Sequence, residues 1–290
     1  MLHLCLDTCT WIYIARLHND EVIKSFESLV EEGKVTFVVP EIVIQEFKRT
    51  SETAILNPLK DSYHTKLKNI NDMAKLLDEE DGQTAQNLFQ KYTRNYQEVL
   101  ATHHTNIDRI NSLLEGGKKC IPSSEQKALA ADWACEKKPP FFGEKKNEMT
   151  DCLILFSALN AYKSENLKPF IFITDNVHDF AISSKEGERN TMHKNLQDFF
   201  DGNNIKYLLA QKITELINNI KPELIKVEKA KELEEDLLRL RSIEEIRRNC
   251  EHEYDTTRGT YKHSMFGGGL SLHYMCKHCG MLLDTGDYFD

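Results

Sequence analysis

No apolar run in this chain is long enough to cross a bilayer. The apolar N-terminus lacks a basic leading segment and carries Asp7 early, so no secretory signal is expected and a cytoplasmic setting is the default. Positive charge is also scarce: 37 Lys and Arg stand against 46 Asp and Glu, a formal charge of −9. That balance argues against a protein that grips nucleic acid by overall charge. It does not argue against a nuclease, because carboxylates gathered around divalent cations would themselves make the chain acidic. There is no Gly-rich phosphate loop, no HExxH and no Ser or Cys nucleophile in a recognisable setting. A hydrolase with an aspartyl nucleophile would want a second acid two residues on, and Asp7-Thr8-Cys9 lacks it.

With 40% hydrophobic and 29% charged residues over 290 positions, the chain has the composition of a globular protein with polar helices, in one large domain with appendages or in two domains. Short apolar runs alternate with helical periodicity. LHLCL, VTFVV, PFIFI and KYLLA read as strands. The stretch from Cys9 to Val35 reads as helix, with Val22, Phe26, Leu29 and Val30 on one face and Gly33 as its C-cap. PEIVIQEFKRT and MTDCLILFSALNAYKSEN read as further helices, and residues 52–120 as a helical insertion. Lys137 to Glu148, with two prolines, a glycine and mixed charge, reads as a loop. Alternation of this kind predicts an α/β fold with a largely parallel sheet, whose ligands collect beyond the C-terminal strand ends.

Acids sit at those ends. Asp7 closes the first strand, Glu46 lies one turn into the helix after the second, Asp151 opens the long apolar helix, and Asp175 leaves the strand that follows. Each alone has an ordinary explanation: a turn, a solvated helix face, a helix dipole. Together, hard oxygen donors on one sheet edge suit Mg²⁺ or Mn²⁺ and the hydrolysis of a phosphodiester. Lys48, Arg49, Lys145 and Lys146 are candidates for phosphate contacts, although surface lysines usually serve solubility alone.

The series LCLDTCTWI, VVPEIVIQEFKR, NEMTDCLILFSAL and FIFITDNVHDF resembles the motifs of the PIN-domain nucleases, in particular the larger PIN-like variant with a helical insertion. The resemblance spans roughly residues 1–210. It implies a Rossmann-like three-layer domain and Mg²⁺- or Mn²⁺-dependent cleavage, of RNA more often than DNA. It implies metal-holding roles for Asp7, Glu46, Asp151 and Asp175, with Asp179 as a fifth acid in an outer shell or as a helix cap. Thr174 would place its hydroxyl near the metal or an attacking water, Thr8 and Asn176 would orient the shell, and Glu148 competes with Asp151 as the third acid. Such domains often pair, so a homodimer is a further expectation. A catalytically idle module that binds RNA or a protein partner is the alternative.

Five of the eight cysteines (Cys5, Cys9, Cys120, Cys135 and Cys152) are scattered and read as small hydrophobes. Cys250, His252, Cys276 and Cys279 instead flank a Gly-rich stretch, with a C-K-H-C-G knuckle in the second half. Four N/S donors suit tetrahedral structural Zn²⁺, and the pattern resembles a zinc ribbon. His263, His273 and His278 compete for the histidine position. Tyr254, Arg258, Tyr261, Lys262, Phe266, Tyr274 and Lys277 would either stack on unpaired bases or fill a small core. The expected domains are a nuclease domain over 1–215, a helical connector over 216–248 and a zinc-ribbon-like module over 249–290.

Overall fold

The computed structural model describes residues 1–17, 20–74, 79–141, 148–182, 188–199, 205–263 and 270–289. It divides into two compact units, Met1–Glu234 and Glu235–Asp290.

The first unit is built on five parallel strands. They are β1 (Leu2–Leu6), β2 (Val35–Pro40), β3 (Lys118–Cys120), β4 (Phe170–Thr174) and β5 (Ile205–Leu209), in the order β3-β2-β1-β4-β5. Leu4 pairs with Phe37 on one side and with Ile171 on the other. Strands covered on both faces need apolar residues at every position, and β4 is buried at all five. This is the expected α/β parallel architecture, with helices on both sides of the sheet. Chain order runs outward from β1 through β2 to β3, then restarts on the other side with β4 and β5. The reversal leaves a crevice beyond the C-terminal ends of β1 and β4, where sheets of this kind bind ligands.

Helices α1 (Thr8–Arg16) and α2 (Glu21–Glu31) replace the single helix expected from periodicity. The chain turns extended at Leu17, and the Arg16 guanidinium donates to the Ala54 carbonyl at 3.0 and 2.6 Å, outside its own helix. Helix α2 ends at Gly33 as expected. There φ is +66°, and Gly33 N–H and Lys34 N–H return to the carbonyls of Val30 and Leu29 at 2.9 Å each, in a Schellman closure. Trp11, Phe26 and Phe37 meet edge to face, with ring centroids 5.1–6.4 Å apart, and lock both helices onto β2. Pro40 ends β2 and precedes α3 (Glu41–Ser51) as its N-cap.

The insertion is helical, as its stripes predict: α4 (Asn57–Ala74) and α5 (Glu79–Gly116) pack together, and the Tyr63 and Tyr96 rings stack at 3.8 Å. The far end of α5 is tied to the sheet domain. His103 Nδ1–H donates to the Ala15 carbonyl at 2.8 Å, Arg109 binds Asp20 and Glu27, and Ile110 and Leu114 are buried. Strand β3 then returns to the sheet within the last residues of the segment read as insertion. Helix α6 (Ser124–Cys135) follows, with Ser123 and Gln126 in a reciprocal capping box. Next come α7 (Glu148–Glu165), the one-turn α8 (Val177–Phe180), α9 (Lys194–Phe199) and α10 (Ile213–Ile220). The unit boundary falls within α11 (Val227–Arg248), where Leu233 and Leu237 are buried while Ile243 and Ile246 are exposed.

The second unit holds an antiparallel sheet of β6 (Tyr254–His263), β7 (Leu270–Cys276) and β8 (Leu282–Phe289), in that order.

Candidate active site and the Cys/His cluster

Asp7 is the first residue past β1, and its N–H donates to Ile173 O in β4 at 3.1 Å, so it stands at the reversal point of the sheet. It caps α1: Oδ1 accepts from Thr10 N–H at 2.9 Å. The other oxygen, Oδ2, accepts from the Thr174 hydroxyl, which in turn accepts from Asn176 N–H at 2.9 Å. The ordinary explanation of Asp7 as a turn acid and the functional one therefore hold together, one oxygen serving each.

Asn176 is the next junction. Its side-chain amide donates to Asp179 Oδ2, and to Asp151 Oδ2 at 3.4 Å. Asp151 lies half-buried in the first turn of α7, and Asp179 is buried within α8, where Asn176 rather than Asp179 takes the N-cap position. Helix α8 is held down by Phe180 packing on Phe172 of β4, with ring centroids 5.3 Å apart. Glu46 reaches the same edge from α3, where its Oε2 accepts from the Thr8 hydroxyl at 2.6 Å. Asp175 is buried, and its backbone and carboxylate both act on the Cys9 thiol. The fold thus brings Asp7, Glu46, Asp151, Asp175 and Asp179 to one edge, spaced by Thr8, Thr174 and Asn176. The Glu148 side chain and residues Lys145 and Lys146 lie outside the described residues. Lys48 bonds Glu115 at 2.6 Å, which turns it to a structural use, and Arg49 is exposed.

Electrostatics give this edge its character. Burial pushes the Asp7 carboxyl above its ordinary value, against the pull of Thr10, Thr174 and Cys9. Those donors are all neutral, so a buried carboxylate here gains from a cation. Cys152, beside Asp151, is pushed up to about 12 by burial and by that neighbouring charge. Hard oxygen donors are the type that Mg²⁺ or Mn²⁺ takes, although among the described residues the Cys/His tetrad, and not these acids, is the group whose ligand atoms come within one metal's reach of each other.

Two contributors were not legible as site residues. Thr10 supplies the capping N–H. Cys9, expected to pack as a small hydrophobe, is half-buried, with Sγ 3.2 and 3.1 Å from the two oxygens of Asp7. The run Asp7-Thr8-Cys9-Thr10 straight after a strand carried the signal, since the first helical turn faces back onto its cap. Cys5, Cys120 and Cys152 are buried as expected, whereas Cys135 is exposed.

In the second unit, ligand atoms of Cys250, His252, Cys276 and Cys279 all lie within 4.8 Å of one another. Cys250 Sγ and Cys276 Sγ are 3.7 Å apart, and Cys279 Sγ is 3.4 Å from His252 Nδ1. Donors sharing one tetrahedral zinc would stand about 3.8 Å (S to S) and about 3.6 Å (S to N) apart. The knuckle turns at Gly280, where φ is +69° and the N–H returns to Cys276 O at 3.0 Å. Although burial opposes it, the Cys276 thiol is held down to about 5, chiefly by backbone N–H of Cys279 and by His252. His278 faces Glu253 at 3.4 Å, and His273 sits one residue out of phase with Tyr274 and Cys276 along β7. Neither belongs to the tetrad, and the His263 side chain lies outside the described set, as do residue Phe266 and the side chains of Arg258 and Lys262.

The acids stand beyond the C-terminal strand ends at the reversal point of a parallel α/β sheet, where sheets of this kind bind ligands. A family model described as PIN domain matches residues 4–180, and the chain belongs to that family, whose members are generally metal-dependent nucleases. No curated protein and no solved structure matches the chain. Among the described residues, no helix is long and apolar enough to cross a membrane.

Proposed function

We propose that this protein is a metal-dependent endonuclease, cleaving RNA in preference to DNA, with Asp7, Glu46, Asp151 and Asp175 as the metal-holding acids. The observation that carries the reading is the buried Asp7 carboxylate, whose donors among the described residues are neutral and which is joined through Thr174 and Asn176 to Asp151 and Asp179. A divalent cation held there supplies Lewis-acid chemistry and an activated water for phosphodiester hydrolysis. The chain's own groups do the positioning. Thr174 fixes the direction of one Asp7 oxygen, Thr8 orients Glu46, and Asn176 sets the spacing of Asp151 and Asp179.

Within this reading residues 1–215 form the nuclease domain, 216–248 the connector and 249–290 a zinc-bearing module. Cys250, His252, Cys276 and Cys279 hold structural Zn²⁺, which supplies stability that so small a sheet cannot draw from apolar burial. The eight free cysteines suit a reducing, cytoplasmic setting.

The test is cleavage of labelled RNA and DNA panels by the full chain with Mg²⁺, Mn²⁺ or chelator. Metal-dependent cutting of RNA that is lost in Asp7→Asn and in Asp151→Asn supports the assignment. Cleavage retained by both variants sinks it, and binding without cleavage by the native chain marks an idle module instead.

A further inference from the structure

The rings of the helical insertion are used in two ways. Tyr63 of α4 stacks with Tyr92 and Tyr96 of α5, at centroid distances of 5.6 and 3.8 Å, and its hydroxyl donates to Thr93 Oγ1 at 3.2 Å. One turn further out, α5 presents Phe89 while α4 presents only Ile70, and Phe89 has no ring partner among the described residues. A cleft of about 260 Å³ opens there between the two helices, lined by Ile70, Asn71, Ala85, Gln86, Phe89 and Gln90. Pockets that enclose a drug-sized ligand run to roughly 300–1,000 Å³, so this one suits a single planar ring system. The amides of Asn71, Gln86 and Gln90 are exposed and have no hydrogen-bond partner among the described residues. Each offers a donor and an acceptor side by side, as the edge of a nucleobase requires.

Charge on the same side fits the rest of a nucleotide. Lys68 stands three residues before Asn71 and Arg94 four after Gln90, so each lies on the cleft side of its helix. Neither has an ion-pair partner among the described residues, whereas Lys48, Lys118 and Lys119 are each bound to a glutamate. No acid stands three or four residues from any of the three amides, a local reversal of sign in a chain of net charge −9.

We propose that this cleft takes one unpaired base of an RNA strand, its face on Phe89, its edge on Asn71, Gln86 and Gln90, and its neighbouring phosphates on Lys68 and Arg94. The inference rests on the proposed function only in taking RNA as the ligand. Unpaired strands are held in this manner, by aromatic stacking, base-edge hydrogen bonds and cations along the backbone. Ile70 lies 24 residues beyond Glu46, at most about 36 Å of helix, so the cleft grips a part of the strand remote from the scissile bond and selects substrates with an unpaired extension.

The test is fluorescence anisotropy of a labelled single-stranded RNA on the full, zinc-loaded chain in buffer without Mg²⁺ or Mn²⁺, with 2-aminopurine in the strand as the reporter of stacking. Phe89→Leu keeps the apolar bulk and loses the ring, and should weaken binding about 5- to 150-fold and abolish the 2-aminopurine response, while Phe89→Tyr should retain both. Gln86→Ala combined with Gln90→Ala, both at exposed positions, should weaken binding with the melting point unchanged. Lys68→Gln combined with Arg94→Gln should weaken it and flatten its salt dependence. Affinity unchanged in Phe89→Leu or in the paired glutamine variant, no binding of single-stranded RNA by the native chain, or equal binding of blunt duplex overturns the proposal. Because binding is read without turnover, RNA held through Phe89 but never cut would sink the nuclease reading alone. Cutting by a chain whose RNA affinity ignores these substitutions would sink this inference alone.

Discussion

At Asp7 a single carboxylate does two jobs that pull against each other. Burial raises its pKa in the folded protein above the unfolded value. Between those two values the folded state holds a proton that the unfolded state has released, so the metal-free protein loses stability as pH rises through that window. Asp7→Asn removes the titrating group. Thermal unfolding in chelator should then show a weaker fall in stability from acid towards neutral pH, with a melting point at neutral pH at or above that of the native chain. The same variant should lose cleavage altogether. Asn176→Ala acts through its neighbours, since its amide joins Asp151 and Asp179. We expect a 10- to 100-fold loss of activity, on the order seen when groups that orient metal ligands are removed, read as weaker Mn²⁺ affinity in a titration of rate against metal. Thr174→Val should reduce activity similarly and cost about 1–3 kcal/mol, because a fully buried hydroxyl serves both Asp7 and Asn176 N–H. Thr174→Ser should restore most of both.

Among the elements, Gly117 marks where the insertion hands the chain back to the sheet. A Cβ there would meet Val39 Cγ2 at 2.5 Å and Phe37 O at 3.1 Å, so β3 could not lie against β2 without displacement. Gly117→Ala should destabilise by about 1–3 kcal/mol in chemical denaturation. That return strand was not legible in the sequence. Lys118–Cys120 is three residues long and mostly polar, and a strand so short at a sheet edge leaves no periodic trace. β1, β2 and β4 were legible as the mostly apolar runs that a sheet covered on both faces demands, whereas β5, an edge strand exposed at Lys206 and buried only at Leu209, showed through its short KYLLA run alone. The insertion was legible through its stripes, while the break between α1 and α2 was not, since the apolar spacing continues across it. Most of the acids showed for a related reason: Asp7, Asp151 and Asp175 lie at or near element ends, where apolar pattern stops and a charged residue stands out, whereas Glu46 lies mid-helix in α3 and stood out only against its apolar neighbours Ile42, Val43 and Phe47. Cys9 and Thr10 stayed hidden because their roles, a thiol and a backbone N–H turned back onto the cap of their own helix, leave no trace in apolar spacing. Asn176 was expected to orient the shell, but that its one amide would join two carboxylates depends on how Phe180 seats α8 on β4.

For the molecule as a whole, the two units should answer differently to removal of metal. Stripping zinc with a strong chelator should release the second unit's sheet to protease while the first, with its own apolar core, keeps its melting transition. Loss of the first unit's transition under the same treatment would contradict the assignment of Cys250, His252, Cys276 and Cys279 as a purely local support. The order of strands carries a further consequence during synthesis. Asp7 and Thr174 touch across 167 residues of chain, and β1 has β4 as a neighbour in the sheet. Contacts so distant form late. A growing chain on the ribosome therefore carries Asp7 long before β4 exists to complete its surroundings, so on the proposed reading a half-made copy is inert.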